Sequence, residues 1–312
     1  MKSKLFNIMV IFICIFIMVE LLIKKSLIYT SIIYALDMWV NNLIPALFPF
    51  FIISDILINY NVVLYIPKII INFFKECFNI TDNMLTILFL SIISGFPSNA
   101  RNTRTLYDKG MIDLDEANHI LIFSHFSNPI FILTTVGVFF FNEERLGIII
   151  LISHYLSNFI LGLLFRGSFK HSNKKNGSLE YSVNNFGKIF ISSIRKSIDT
   201  ILLICGILTV FLLFSSIIVD TFKLNIYNSM LIKGLFEITI GIESLGKLTV
   251  SLVYKAVIAS CFLAFGGLSV HMQVMSQIID TKIKYRYFFI GRIYQMIISG
   301  LITFLICIIC KI

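Results

Sequence analysis

The chain has 312 residues, 57% of them hydrophobic and 14% charged, with a mean hydropathy of +0.91 and a formal net charge of +9. A soluble domain of this composition would need one very large core with almost no polar surface, so the chain falls among polytopic membrane proteins. The excess of Lys and Arg then reads as basic cytoplasmic loops; no basic, aromatic-interleaved module is present, and nucleic acid is not an expected partner.

Apolar segments recur almost to the C-terminus. Leu5–Ile23 is long enough to cross a bilayer at roughly 1.5 Å per residue, and Lys24 and Lys25 follow it in place of a cleavage site. This predicts a retained first helix. Ile32–Asn59 follows, interrupted by "NNLIPALFPFF", with Asn41, Asn42, Pro45 and Pro49 reading as a kinked helix. Val62–Phe78 is amphipathic and suits the membrane interface. Met84–Ile93 is too short to cross alone. Ile120–Phe141, Leu146–Phe165, Ile198–Val219, Tyr227–Leu245, Leu248–Phe265 and Phe288–Cys310 read as spans. Barrel-type alternation is absent, so the expected fold is all-α and polytopic.

The stretch from Arg166 to Lys196 is the hydrophilic exception, with basic residues far outnumbering the single Glu180. It predicts a cytoplasmic loop and puts "NEER", Asn142–Arg145, on the outer side. It also divides the chain: residues 1–30 form an N-terminal span, 31–166 a first repeat, 167–196 the basic loop and 197–312 a second repeat. The halves share a pattern. Gly95 to Asp108 and Gly267 to Asp280 have the same spacing, and each pair opens on an interrupted apolar run. Two matched broken or re-entrant helices of this kind point to a transporter-type site.

The first interruption is "SGFPSNARNTRTLYD". Gly95 permits unusual dihedrals, Pro97 disfavours helix at Phe96, and Ser98 or Asn99 can cap a new helix near Ala100. Arg101 in the first turn of that helix completes a plausible anion seat; a tight packing turn explains the residues equally well. At the second interruption, Gly266-Gly267, Ser269 is the expected N-cap, with His271 and Gln273 in the first turn. His125 and Asn128, beside Pro129, are expected to line a pocket or support a kink. Glu237 is costly in a membrane and would face the interior, and Arg292 and Gln295 are candidates to pair with it or with Glu243. The five histidines show no zinc spacing, the six cysteines lie in apolar runs, and no nucleotide or nucleophile motif is present. Neither a metal nor a cofactor is expected, and the chain is not read as an enzyme.

In order along the chain, "LIPALFPFFIISDIL", "SGFPSNARNTRTLYDKGMI", "FSHFSNPIFILTTVGVFFF", "LISHYLSNFILGLLF", "SIRKSIDTILLICGIL" and "FGGLSVHMQVMSQIIDTKI" resemble the family of the sporulation integral membrane protein YlbJ. That family sits in the wider nucleoside-recognition, or gate, domain group. The resemblance implies a multi-pass protein of the cell membrane needed for spore development and linked to the spore cortex. It favours a transporter- or channel-like role for an unidentified small polar or anionic solute; the alternative is a non-transporting structural or assembly protein. Relatives place a glycine where Asn99 stands and a lysine where Arg101 stands. The partners expected are the lipid bilayer and that solute, with a homo-oligomer left open.

Overall fold

The computed structural model describes residues 2–60, 62–169 and 186–312, all of them in helices or connecting turns. In chain order the helices are α1 (Lys2–Ile23), α2 (Lys25–Met38), α3 (Ile44–Asn59), α4 (Lys68–Phe78), α5 (Asp82–Ser94), α6 (Ser98–Asp108) and α7 (Leu114–Phe123). A wider-turned helical segment, Phe131–Phe140, comes next. Then follow α8 (Glu144–Phe165), α9 (Phe186–Thr221), α10 (Ile226–Phe236), α11 (Ile238–Gly246), α12 (Leu252–Phe265), α13 (Gly267–Ile278) and α14 (Tyr285–Ile309). Five units among the described residues are long and apolar enough to cross a bilayer: Leu5–Ile23, α8, α9, α12 with α13, and α14. The protein is a multi-pass helical membrane protein.

Two expected spans are in fact broken. Ile120–Phe141 stops at Phe123 and resumes only after Asn128. Pro129 cannot donate a backbone hydrogen bond, and the Asn128 side chain caps the restart by accepting from Ile130 N at 2.8 Å. Tyr227–Leu245 folds back on itself at Glu237, and a Cβ on Gly241 would overlap the Gly234 backbone. Only paired glycines allow α10 and α11 to lie this close. The expected loop is also shorter than its composition suggested. Its end, Phe186 to Lys196, is the start of α9, whose 36 residues reach about 54 Å and so project well past the hydrocarbon core. The loop's middle lies outside the described residues.

The helix ends sort into two faces. On the basic face Asn79 donates to Arg166 O at 3.0 Å and Asn83 to Met111 O at 2.7 Å. Lys284 N donates to Asn118 Oδ1 at 2.8 Å. These contacts set the start of α5 beside the turn after α6, so α5–α6 is a hairpin that enters and leaves by this face. On the opposite face Lys24 pairs with Asp220 at 2.9 Å, at the end of α9, and Gly246 at the end of α11 abuts Phe140. Hairpin α10–α11 therefore enters from there. α4 lies at 97° to α5, as an interfacial helix should.

Both halves run hairpin, broken span, whole span: α5–α6, α7 with Phe131–Phe140, α8; then α10–α11, α12–α13, α14. This corrects the matching drawn from spacing. Gly267 belongs to a broken span that continues through the fold, and the partner of the Gly95 hairpin is the Glu237 hairpin. Equal Gly-to-Asp spacing arose because α6 and α13 run side by side to the same face, where Arg104 joins them.

Candidate functional site

The interruptions at Gly95, Ser124–Asn128, Glu237 and Gly266-Gly267 meet in pairs. Gly95 has φ +74° with ψ −174°, a region open essentially to glycine alone, and a Cβ there would lie 2.8 Å from Asn128 N. Gly267, at φ +61°, faces Ile238 N, with 3.3 Å available to a Cβ. In each half the hairpin turn thus rests on the break of the following span. The Phe96–Pro97 peptide is cis.

Phe96, Ser127, Asn128, Glu237, Thr239 and Gln273 from all four breaks line one cavity, closed by Leu43, Leu47, Phe131, Ile204 and Leu208. Its volume is about 40 Å³. A water needs roughly 10–15 Å³, so the cavity admits a few waters and no organic solute in this conformation. Glu237 is its charged group. The carboxylate caps α11, accepting from Thr239 N at 2.7 Å, Ile240 N at 3.0 Å and Thr239 Oγ1 at 3.2 Å. The positive end of α11 is what makes a 96%-buried acid tolerable here.

Of the expected site residues, Asn128, Glu237 and Gln273 face the cavity, with Gly95, Pro97 and Gly267 shaping the turns beside it. The others lie around it. Asn99 is helical and uses its side chain locally, accepting from Ala100 N at 2.7 Å and meeting His125 Nδ1 at 3.0 Å. Glycine's freedom is needed at Gly95, not at position 99. Ser98 opens α6 and bonds Ser94 Oγ at 2.6 Å. His125 sits in the extended linker, not on a helix face, stacked on Phe96.

Three expectations are overturned. Ser269 does not cap α13: Gly266 occupies that position and Ser269 lies in the first turn. His271 turns away from the cavity, to Tyr285 OH at 2.6 Å and Phe265 O at 3.0 Å. Arg101 points to α3 and α9; its guanidinium lies 5.3 Å from the Phe51 ring centroid and 3.5 Å from Ser197 Oγ. It supplies no anion seat in the cavity, where the formal charge is negative.

Arg292 and Gln295 do not pair with the acids either. Arg292 is fully buried and donates to Ile122 O at 3.1 Å, to His125 O and Ala264 O at 3.3 Å each, and to Gln295 Oε1. It thereby gathers the carbonyl ends of α7 and α12, where the helix dipoles favour a cation. On α8, His154 Nε2 accepts from Ser127 N at 2.9 Å and Asn158 donates to His125 O at 2.8 Å. Their helical spacing inside "LISHYLSNFIL" was the available signal, but spacing alone did not say what they hold. Buried polar atoms gather here without a protein partner among the described residues: Asn99 Nδ2, His125 Nε2, Ser127 Oγ, Asn158 Oδ1 and Ser269 Oγ.

Arg104, further along α6, ties the two halves together at the basic face. It donates to Gln277 O at 2.9 Å and to both oxygens of Asp280, latching α6 to the end of α13. Hydrogen bonding to Arg104 holds the Asp280 carboxyl below its ordinary range.

The sporulation integral membrane protein YlbJ of Bacillus subtilis (strain 168) is 29% identical over 307 residues, covering 87% of this chain and 75% of that protein. The chain is thus similar to this sporulation membrane protein over most of its length. No protein-family model matches the chain, and no solved structure does.

Proposed function

We propose that the chain is a sporulation membrane protein that moves a small polar solute, and that it serves spore development through formation of the cortex. The sporulation assignment is supported by the similarity to YlbJ. The transport reading is carried by one observation: two hairpins entering from opposite faces rest on broken spans around a largely apolar cavity into which Asn128, Glu237, Thr239 and Gln273 bring polar groups. Interrupted helices are tolerated in a membrane only where protein or water satisfies their freed backbone groups. Opposed broken elements around a central site are the architecture of secondary transporters. Glu237 disfavours a bare anion in the cavity, and the amides of Asn128 and Gln273 suit a solute that both donates and accepts hydrogen bonds. The basic face, with Arg166, Lys282, Lys284 and Arg286, is taken as cytoplasmic.

The test compares small molecules in sporulating cells with and without the protein, and again with Glu237→Gln. One solute should accumulate on one side of the forespore membrane in both altered strains. Unchanged pools and normal heat-resistant spores in the Glu237→Gln strain would defeat the transport reading.

A further inference from the structure

The face of α9 that packs into the protein changes character along its length. Ser193, Ser197 and Thr200 come first, then Ile201, Ile204, Leu208 and Leu212, then Ser215 and Ile217. From Ser193 to Ser215 is about 33 Å along a helix, close to the roughly 30 Å of a hydrocarbon core. The ladder is thus polar at its first end, apolar through the middle and mixed at Ser215 and Ile217, and the central cavity opens on it at Ile204 and Leu208.

A second chamber of about 340 Å³ lies further along the ladder toward the opposite face, reached at Leu212 and Ser216. It is more open to its surroundings than the central cavity. Tyr34, Lys233, Glu243 and Lys247 give it polar walls; Tyr34 OH and Lys247 Nζ both bond the Glu243 carboxylate, the latter at 2.6 Å, and Lys233 has no acid partner among the described residues. Between chamber and cavity stands a thin apolar layer of Ala35, Met38, Leu212 and Ile240. The other end of the ladder repeats the design. Leu47, Phe51, Ile201 and Ile204 form a second apolar layer. Beyond it Asp55 accepts from Ser193 at 2.7 Å and faces Lys196 at 3.5 Å, while Arg101 covers Phe51 and reaches Ser197.

We propose that α9 lines a solute path closed by two gates. Met38, Leu212 and Ile240 separate the cavity from the outer chamber, and Leu47, Phe51, Ile201 and Ile204 separate it from the Arg101–Asp55 cluster. The outer chamber is a docking site for a small polar solute, held by hydroxyls and the Lys233 ammonium, and the solute's passage rests on the transport reading above. Arg101, which does not face the cavity, has its place at the inner mouth.

The test is cysteine accessibility in the full-length protein in membranes, using a membrane-impermeant thiol reagent and wild-type protein as background. Ser216→Cys should react from the opposite face and Lys196→Cys only from the basic face. Thr239→Cys, in the cavity, should be protected, and combining it with Leu212→Ala and Ile240→Ala should speed its labelling from the opposite face at least tenfold. Met38→Ala is the second gate variant if that combination fails to fold. Labelling of Thr239→Cys as fast as Ser216→Cys with the gates intact, or no acceleration when the outer gate is pared back, overturns the path. If the path opens as expected while Glu237→Gln cells sporulate normally, the solute reading fails and the path stands.

Discussion

Replacing Arg292 by leucine should be among the most damaging single changes in the chain. The guanidinium is fully buried, and its donors serve Ile122 O, His125 O, Ala264 O and Gln295 Oε1. Leucine fills much of the space and satisfies none of them. Each stranded acceptor costs about 1–3 kcal/mol, though water reaching the break recovers part of the sum. Four stranded acceptors at that rate, less what water recovers, put the expected loss at about 3–5 kcal/mol. At roughly 2–4 °C per kcal/mol the melting midpoint in detergent should fall by roughly 6–20 °C. Arg292→Lys keeps the charge but not the fork, so it should fall between leucine and wild type. Thermal unfolding followed by monodisperse yield on size exclusion reads the series. A leucine variant melting within about 2 °C of wild type would show that the helix ends do not need the guanidinium.

Three further outcomes follow from the same geometry. Gly95→Ala must adopt a backbone region open essentially to glycine and push a methyl onto Asn128, so it should cost about 1–3 kcal/mol in detergent melts, whereas Gly110→Ala, with nothing near its Cβ, should cost less. Glu237→Ala should destabilise α11 by about 1 kcal/mol more than Glu237→Gln, because glutamine keeps an oxygen for the cap; both should lose spore function, so a functional glutamine variant would mean that the charge is not used. The Arg104–Asp280 latch should be insensitive to pH through the neutral range. Asp280 titrates below its usual value of about 3.9, so its contribution is complete above that value and is lost only as pH falls through the lower folded value. Crosslinking between cysteines placed on α6 and α13 should therefore be unchanged from pH 6 to pH 8 and rise in variability only in strong acid; a clear change near pH 7 would contradict this.

Much of the fold could be read before the structure. Apolar length identified α1, α8, α9, α12 and α14, and Gly-Phe-Pro and Gly-Gly marked two interruptions. The other two escaped because length was taken as continuity. Ser124–Asn128 lies inside a run apolar enough to span, and the Glu237 turn lies between helices of about ten residues each, whose summed length imitates one span. Periodicity is silent on where a chain reverses when both limbs are apolar. The cavity residues Asn128, Glu237 and Gln273 were legible because polar side chains are expensive in such runs. Arg101 and His271 carried the same signal and were misplaced. Cost in the membrane identifies a residue as satisfied by something, and only the packing says whether that partner is a cavity, a neighbouring ring or a backbone carbonyl.

Heat-resistant spore yield across two pairs of stable, membrane-inserted variants tests the central claim most directly. Gln273→Leu and Glu237→Gln alter the cavity. Ser269→Ala and His271→Phe alter α13 away from it. Loss of spores by tenfold or more in the first pair, with near wild-type yield in the second, is the result expected of a solute site where the four interruptions meet. Wild-type yield in the first pair would contradict it.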